Sequence, residues 1–155
     1  LNIEKQLEIF EKDLDDYNSI LLKSLADRLA EALTEYTHEK MRKEIWGYAS
    51  DEKFENDELI KEKYHGIRPA PGYTACPDHT EKQKIFNLLK AEEIGVSLTE
   101  SMAMYPNSTV SGYYFSHPES KYFSVGKIQN DQVKDYSERK KQTINETNKW
   151  LSSNI

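Results

Sequence analysis

Residues 66 to 82, GIRPAPGYTACPDHTEK, contain three of the chain's five prolines, two of its six glycines and its single cysteine. Pro69, Pro71 and Pro77 each fix their own φ, remove a backbone donor and push the preceding residue toward extended geometry. Such a stretch can be neither helix interior nor central strand. The ring constraints also reduce the entropy lost when the segment orders, so its carbonyls and N–H groups can be held at fixed points for little further cost. Residue chemistry leaves two readings open: a stiff connector between helices, or a rigid platform for a ligand. For the second, Arg68 offers a planar fork for a carboxylate and Tyr73 an aromatic face, while Gly72 lets the chain turn or lets a ligand approach the backbone.

The flanking sequence is helical on both sides. Ile3, Leu7 and Phe10 stand at helical spacing, and DLDDYN then breaks the pattern with Asp15 or Asp16 as N-cap. Ile20, Leu21, Leu25, Leu29, Leu33, Tyr36, Met41 and Ile45 trace a 3.6-residue stripe that predicts one long helix ending at Trp46 and Gly47, with the stripe buried. Asp27, Glu31, Thr34 and His38 share another face, read as solvated. A short helix is expected from Asp57 to Tyr64, with Asn56 as cap. After the loop, Asp78 and Glu81 resemble a capping box for a helix to about Glu93, with Ile85, Phe86, Leu88 and Leu89 on its buried face and Gly95 as its stop. VSLTES, TVSGYYFS and KYFSVG read as strands, the last two joined by a hairpin turn at His117 to Ser120, before two C-terminal helices that end near Leu151. The whole is expected to be an α+β fold around one core, with an antiparallel sheet.

The net charge of −6 argues against a nucleic-acid surface, which needs clustered Lys and Arg. No apolar run approaches the roughly 20 residues of a membrane span. One cysteine excludes an internal disulfide and a multi-cysteine zinc site, and fits a reducing compartment. There is no Gly-rich phosphate loop, G-x-S-x-G elbow or H-E-x-x-H. Glu35 and His38 form a Glu-x-x-His pair, but a di-iron bundle needs a second pair and two further glutamates, so no metal site is assigned. His79 and His117, each beside a proline, are read as structural, and Cys76 lacks the oriented base a thiol nucleophile needs, so no catalytic residue is named. Beginning at Leu1 directly in charged helical material, the chain reads as a piece of a longer one.

RPAPGYTACPDHTEK at 68 to 82, LTES at 98 to 101, VSGYYFSHPESKYF at 110 to 123 and DQVKDY at 131 to 136 resemble the activation domain of cobalamin-dependent methionine synthase, as do DDYNSILLKSLADRLAEA at 15 to 32 and the terminal WLSSNI. The resemblance implies that residues 1 to 155 are the C-terminal part of that α+β domain, a twisted antiparallel sheet with flanking helices, in a cytoplasmic enzyme. It implies S-adenosylmethionine as ligand and cobalamin as a cofactor held mainly by another domain, with reductive methylation of cob(II)alamin as the supported step. The implied partners are the cobalamin-binding domain and a flavodoxin-like reductase. The family's Arg-x-x-x-Gly-Tyr signature falls on Arg68, Gly72 and Tyr73, with backbone contributions that include Ala70. Its hairpin pair falls on Tyr122 and Phe123, and its acidic positions near the ligand on Glu31 and Glu62. Thr74 stands where the family usually has another proline, one residue is missing near Glu93 to Gly95, and the family's upstream segment, which donates an aspartate to the ligand, is not in this sequence. A non-catalytic docking module for the same partners is the alternative.

Overall fold

The computed structural model describes residues 3–155, so Leu1 and Asn2 lie outside the described residues. The described chain falls into two compact units, where one core was expected: residues up to Asp51 with Gly95–Val110, and Glu52–Ile94 with Ser111–Ile155.

The first unit is built on helices α1 (Glu4–Lys12) and α2 (Asp16–Lys40). Asp15 caps α2 as expected, its carboxylate accepting from the Asn18 N–H at 3.0 Å. The last turn of the long helix widens to a π-helix over Met41–Ile45, and Trp46 and Gly47 both donate to the Met41 carbonyl. The expected long helix is therefore present, but its burial is not the expected one. Ile20, Leu21, Leu25, Leu29, Leu33, Tyr36 and Ile45 are exposed, whereas Ser19, Ala26, His38 and Arg42 are buried. His38, read as solvated, is 0% exposed, with Nε2 3.4 Å from the Tyr48 hydroxyl. The periodicity located an apolar face correctly but could not say whether anything covers it. This unit also holds the antiparallel pair β1 (Ser97–Leu98) and β2 (Met104–Tyr105), with Ser97 opposite Tyr105 and Leu98 opposite Met104. The short sheet and the flanking helices make the chain α+β.

The second unit contains α3 (Asn56–Ile60), α4 (Glu81–Leu89), a 3₁₀ turn over Ala91–Ile94, α5 (Asn130–Lys140) and α6 (Ile144–Trp150). Helix α3 starts with Glu55 as cap, boxed with Glu58, and ends four residues before Tyr64. Helix α4 differs in three ways from the sequence expectation. Its N-cap is Thr80, without a side-chain cap bond; it ends at Lys90 in left-handed geometry; and Leu88 and Leu89 are exposed while Ile85 and Phe86 are buried. The Asp78 carboxylate, expected in a capping box, turns elsewhere.

The hairpin turn at 117 to 120 is present, closed by Ser120 N–H to the His117 carbonyl at 2.9 Å. Its two arms do not pair with each other as strands; both bind the proline loop instead. Ile67 and Phe115 exchange both backbone bonds at 3.0 Å, Tyr113 N–H donates to Pro69 O at 2.9 Å, and Val125 N–H donates to Thr74 O at 2.9 Å. The loop carries its own hydrogen-bonding edges, and the β-rich arms satisfy their backbone groups there. Gly112 permits this approach, since a Cβ at that position would stand 2.7 Å from Pro69 O.

Candidate functional site

Seven of the eight sequence-predicted residues lie in the second unit: Glu62, Arg68, Ala70, Gly72, Tyr73, Tyr122 and Phe123. Glu31 belongs to the first, exposed on α2.

Within the second unit the loop backbone is fixed from both sides by the two arms described above. Its tip is a tight turn, in which Gly72 N–H donates to Cys76 O at 2.7 Å and Cys76 N–H to Tyr73 O at 2.9 Å. Pro71, at the turn's start, is fully buried, while Tyr73 projects with 71% of its surface exposed. The Arg68 N–H donates to the Tyr122 hydroxyl at 2.9 Å, which joins two predicted residues 54 positions apart. Tyr122 and Phe123 are both exposed beside the loop, so this surface presents three aromatic side chains.

The guanidinium of Arg68 is held by a residue the sequence reading placed only at the end of a helix. Its Nη1 donates to the Tyr64 hydroxyl at 2.5 Å, and its Cζ lies 5.7 Å from the centroid of that ring. Tyr64 is buried, and its hydroxyl in turn donates to Glu62 Oε1 at 3.5 Å. Glu62 sits outside the helix expected over it, at φ 50° and exposed. A left-handed residue just past α3 turns the chain so that Glu62, Tyr64 and Arg68 form one acid–hydroxyl–guanidinium series.

Gly72 has φ 94°, and the structure gives a reason for glycine there besides ligand approach. A Cβ on residue 72 would stand 2.3 Å from Cε1 and 2.5 Å from Nδ1 of His79. The imidazole occupies the place of the missing side chain. Lys82 Nζ lies 3.1 Å from Nδ1 of the same ring.

Behind the loop is a buried charged cluster that sequence reading missed. Asp78 is 3% exposed. Its Oδ1 accepts from the Thr80 N–H at 2.8 Å and hydroxyl at 2.7 Å, and its Oδ2 from the Tyr136 hydroxyl at 2.8 Å and Lys140 Nζ at 2.5 Å. Lys140 also pairs with Glu81 at 2.8 Å and donates to the Thr80 hydroxyl. Burial alone would raise the Asp78 pKa, but the bonds from Lys140, Thr80 and Tyr136 hold it below the ordinary carboxylate value. Glu81 is likewise held low against its burial by Lys140 and Lys84. Burial would lower Lys140, but Asp78 and Glu81 hold it high, and burial with the Asp78 bond pushes the Tyr136 hydroxyl well up. The one sequence signal was the spacing of Asp78 and Glu81; nothing in it pointed to a lysine 62 residues on.

A cavity of about 500 Å³ in this unit is lined by Cys76, Pro77, Val125, Ile128, Tyr136 and Leu151 among others. None of the predicted residues lines it. Arg68, Ala70, Gly72 and Tyr73 lie on the loop and Tyr122 and Phe123 beside it, with Tyr73, Tyr122 and Phe123 exposed.

Among the described residues no group of three or more His, Cys, Asp and Glu side chains is arranged to hold a metal ion, and no helix is long and apolar enough to cross a membrane. Residues 1–141 match the family described as vitamin B12 dependent methionine synthase, activation domain. The fold is similar to a crystal structure of the MetH reactivation domain bound to AdoHcy, with a TM-score of 0.96 and 54% sequence identity, over 100% of this chain and 48% of that one. The chain thus spans about half the length of that matched protein.

Proposed function

Since the chain belongs to the family of vitamin B12 dependent methionine synthase activation domains, we propose that it binds S-adenosylmethionine on the Arg68–Tyr73 surface. In the longer protein this domain supports reductive methylation of cob(II)alamin carried by another domain. The observation that carries the site assignment is the Arg68–Tyr122 hydrogen bond, because it unites the loop signature and the hairpin aromatics on one surface.

The residues fit the ligand's chemistry. The Tyr64 hydroxyl and ring restrain the Arg68 guanidinium, so less side-chain entropy is lost when its fork meets the carboxylate of the amino-acid end. Glu62 supplies negative charge for the ammonium or the sulfonium. Tyr73, Tyr122 and Phe123 supply exposed faces for the sulfonium and the purine, and the loop carbonyls around Ala70 supply fixed acceptors. Glu31 is assigned to the same ligand from family resemblance alone. When bound, S-adenosylmethionine supplies the methyl group, and the acceptor is reduced cobalt that must come from outside. An open surface on a rigid loop suits that approach better than a closed pocket. The cobalamin domain and a flavodoxin-like electron donor are the proposed partners, and the cytoplasm the proposed compartment.

Calorimetric titration with S-adenosylmethionine tests the assignment. The parent chain binds saturably, and Arg68→Ala weakens binding by about 10- to 100-fold, the equivalent of one charge-assisted contact. Equal affinity in the variant would refute it. The second reading, a docking module without ligand affinity, draws on the exposed row Ile20, Leu25, Leu29 and Leu33 of α2. Saturable binding by this chain counts against it.

A further inference from the structure

Gly72 and His79 form an interlocked pair: the imidazole fills the volume that any side chain at residue 72 would need. We propose that His79 is a positioning residue for the ligand loop, a neutral imidazole whose seat against Gly72 sets the 72–76 turn and with it the direction of Tyr73. This rests on the ligand site assigned above.

The protonation state follows from the partners. Lys82 Nζ, 3.1 Å from Nδ1, can only donate, so Nδ1 accepts and the ring proton sits on Nε2. Adding a proton to Nδ1 removes that bond and sets two cations 3.1 Å apart. The charged groups acting on the ring are Lys82 from α4, which opposes protonation, and Asp78 from the loop, which favours it. The turn against which the ring packs, residues 71 to 76, carries Tyr73 and Cys76 as its titratable side chains. Asp78 is already engaged by Thr80, Tyr136 and Lys140, so burial first and Lys82 second prevail and the ring stays neutral through neutral pH. An acidified ring leaves its seat or pushes Lys82 away. Either movement releases the turn, whose closure depends on the Gly72–Cys76 and Cys76–Tyr73 backbone bonds.

The test uses the parent chain, His79→Ala and His79→Asn at about pH 8 and about pH 5, on either side of the ordinary histidine range. Asparagine keeps an acceptor for Lys82 and does not titrate. Two readouts are taken: calorimetric titration with S-adenosylmethionine, and hydrogen-exchange protection of the Gly72 and Cys76 amides. The parent should lose about tenfold in affinity on acidification, His79→Ala about tenfold already at the higher pH, and His79→Asn should stay within about threefold of the parent there with no acid loss. Protection at both amides should follow the same order. Parent-like affinity and protection in His79→Ala overturn the proposal, as does an acid loss retained in His79→Asn. If the parent does not bind at either pH, the ligand assignment falls. Amide protection then decides the role of His79 alone, and unchanged protection in His79→Ala overturns it.

Discussion

Lys140 Nζ lies 2.5 Å from Asp78 Oδ2, so the last turn of α5 is tied to the residue that follows the third proline of the loop. Both side chains are almost wholly buried, and Lys140 reaches Glu81 at 2.8 Å from the same position. The proline loop is thus held at its start by the extended arm 113 to 115 and at its end by a charged cluster. The arrangement bears on the proposed ligand surface, since a binding surface on a loop is only as well defined as the loop's anchors.

Removing Lys140 leaves Asp78 buried with a charge that Thr80 and Tyr136 only partly offset. Lys140→Ala is expected to destabilise the second unit by about 3 kcal/mol, in the range for breaking one side of a buried pair. The double variant Asp78→Asn with Lys140→Ala should cost less than the sum of the single changes, because no buried charge is stranded. Urea denaturation of the four proteins measures this, and additivity would mean that the pair is not coupled.

The same cluster sets the acid limit. The pKa values of Asp78 and Glu81 are depressed in the folded chain, so the unfolded chain binds protons first as the pH falls. Their contribution is fully present above the unfolded carboxylate range near pH 4 and is lost as the pH falls through the folded values below it. Lys140, raised when folded, gives stability present below its unfolded value and lost only above about pH 10. The urea midpoint should therefore be level through neutrality with respect to these groups and fall below about pH 4, and Asp78→Asn should flatten that fall. An unchanged acid limb in the variant would contradict the assignment.

The loop, the long helix and its Asp15 cap were legible because proline chemistry, periodicity and capping act over a few residues. So was the turn at 117 to 120. What was not legible depends on partners distant in sequence. The arms around that turn have β-rich composition, but composition does not say that Phe115 pairs with Ile67 and Val125 with Thr74. Leu88 and Leu89 fit a buried face as well as Ile85 and Phe86 do, and only packing separates them. Tyr64 looked like the end of a helix, and its contact with Arg68 depends on the left-handed turn at Glu62.

Gly72→Ala should be costly for two separable reasons. The φ of 94° strains any residue with a Cβ, and that Cβ would collide with the His79 ring at 2.3 Å. A loss of about 2 to 4 kcal/mol is expected, of which His79→Ala in the same chain should recover part while leaving the backbone strain. Thermal unfolding of the two single variants and the double measures the split; a double variant at the sum of the single losses would show no collision.

Tyr122→Phe removes only the oxygen that accepts the Arg68 N–H. The exposed site limits the stability loss to about 0.5 kcal/mol, and S-adenosylmethionine affinity should fall about threefold while the aromatic face is kept. Tyr122→Ala should lose more, because it also removes the ring. Equal affinities for the Phe and Ala variants would show that the ring contributes nothing to binding.

The chain alone should give no methyl transfer. A sulfonium methyl needs a strong nucleophile, and the sulfur nucleophile to consider here is Cys76, since a thiolate far exceeds a hydroxyl or an amide in reactivity. Its pKa is raised first by burial and then by Glu81 and Asp78, against a smaller opposing effect of Lys140, so at neutral pH it stays a protonated thiol. Burial, together with the acidic cluster that anchors the loop, thereby keeps this sulfur unreactive toward a methyl donor. Incubation with methyl-labelled S-adenosylmethionine and homocysteine should leave neither labelled methionine nor labelled protein. Turnover should appear once a cobalamin-carrying domain and an electron donor are added, because a reduced cobalt is then available as the acceptor. Methionine formed by the chain alone, or label on Cys76, would refute this division of labour.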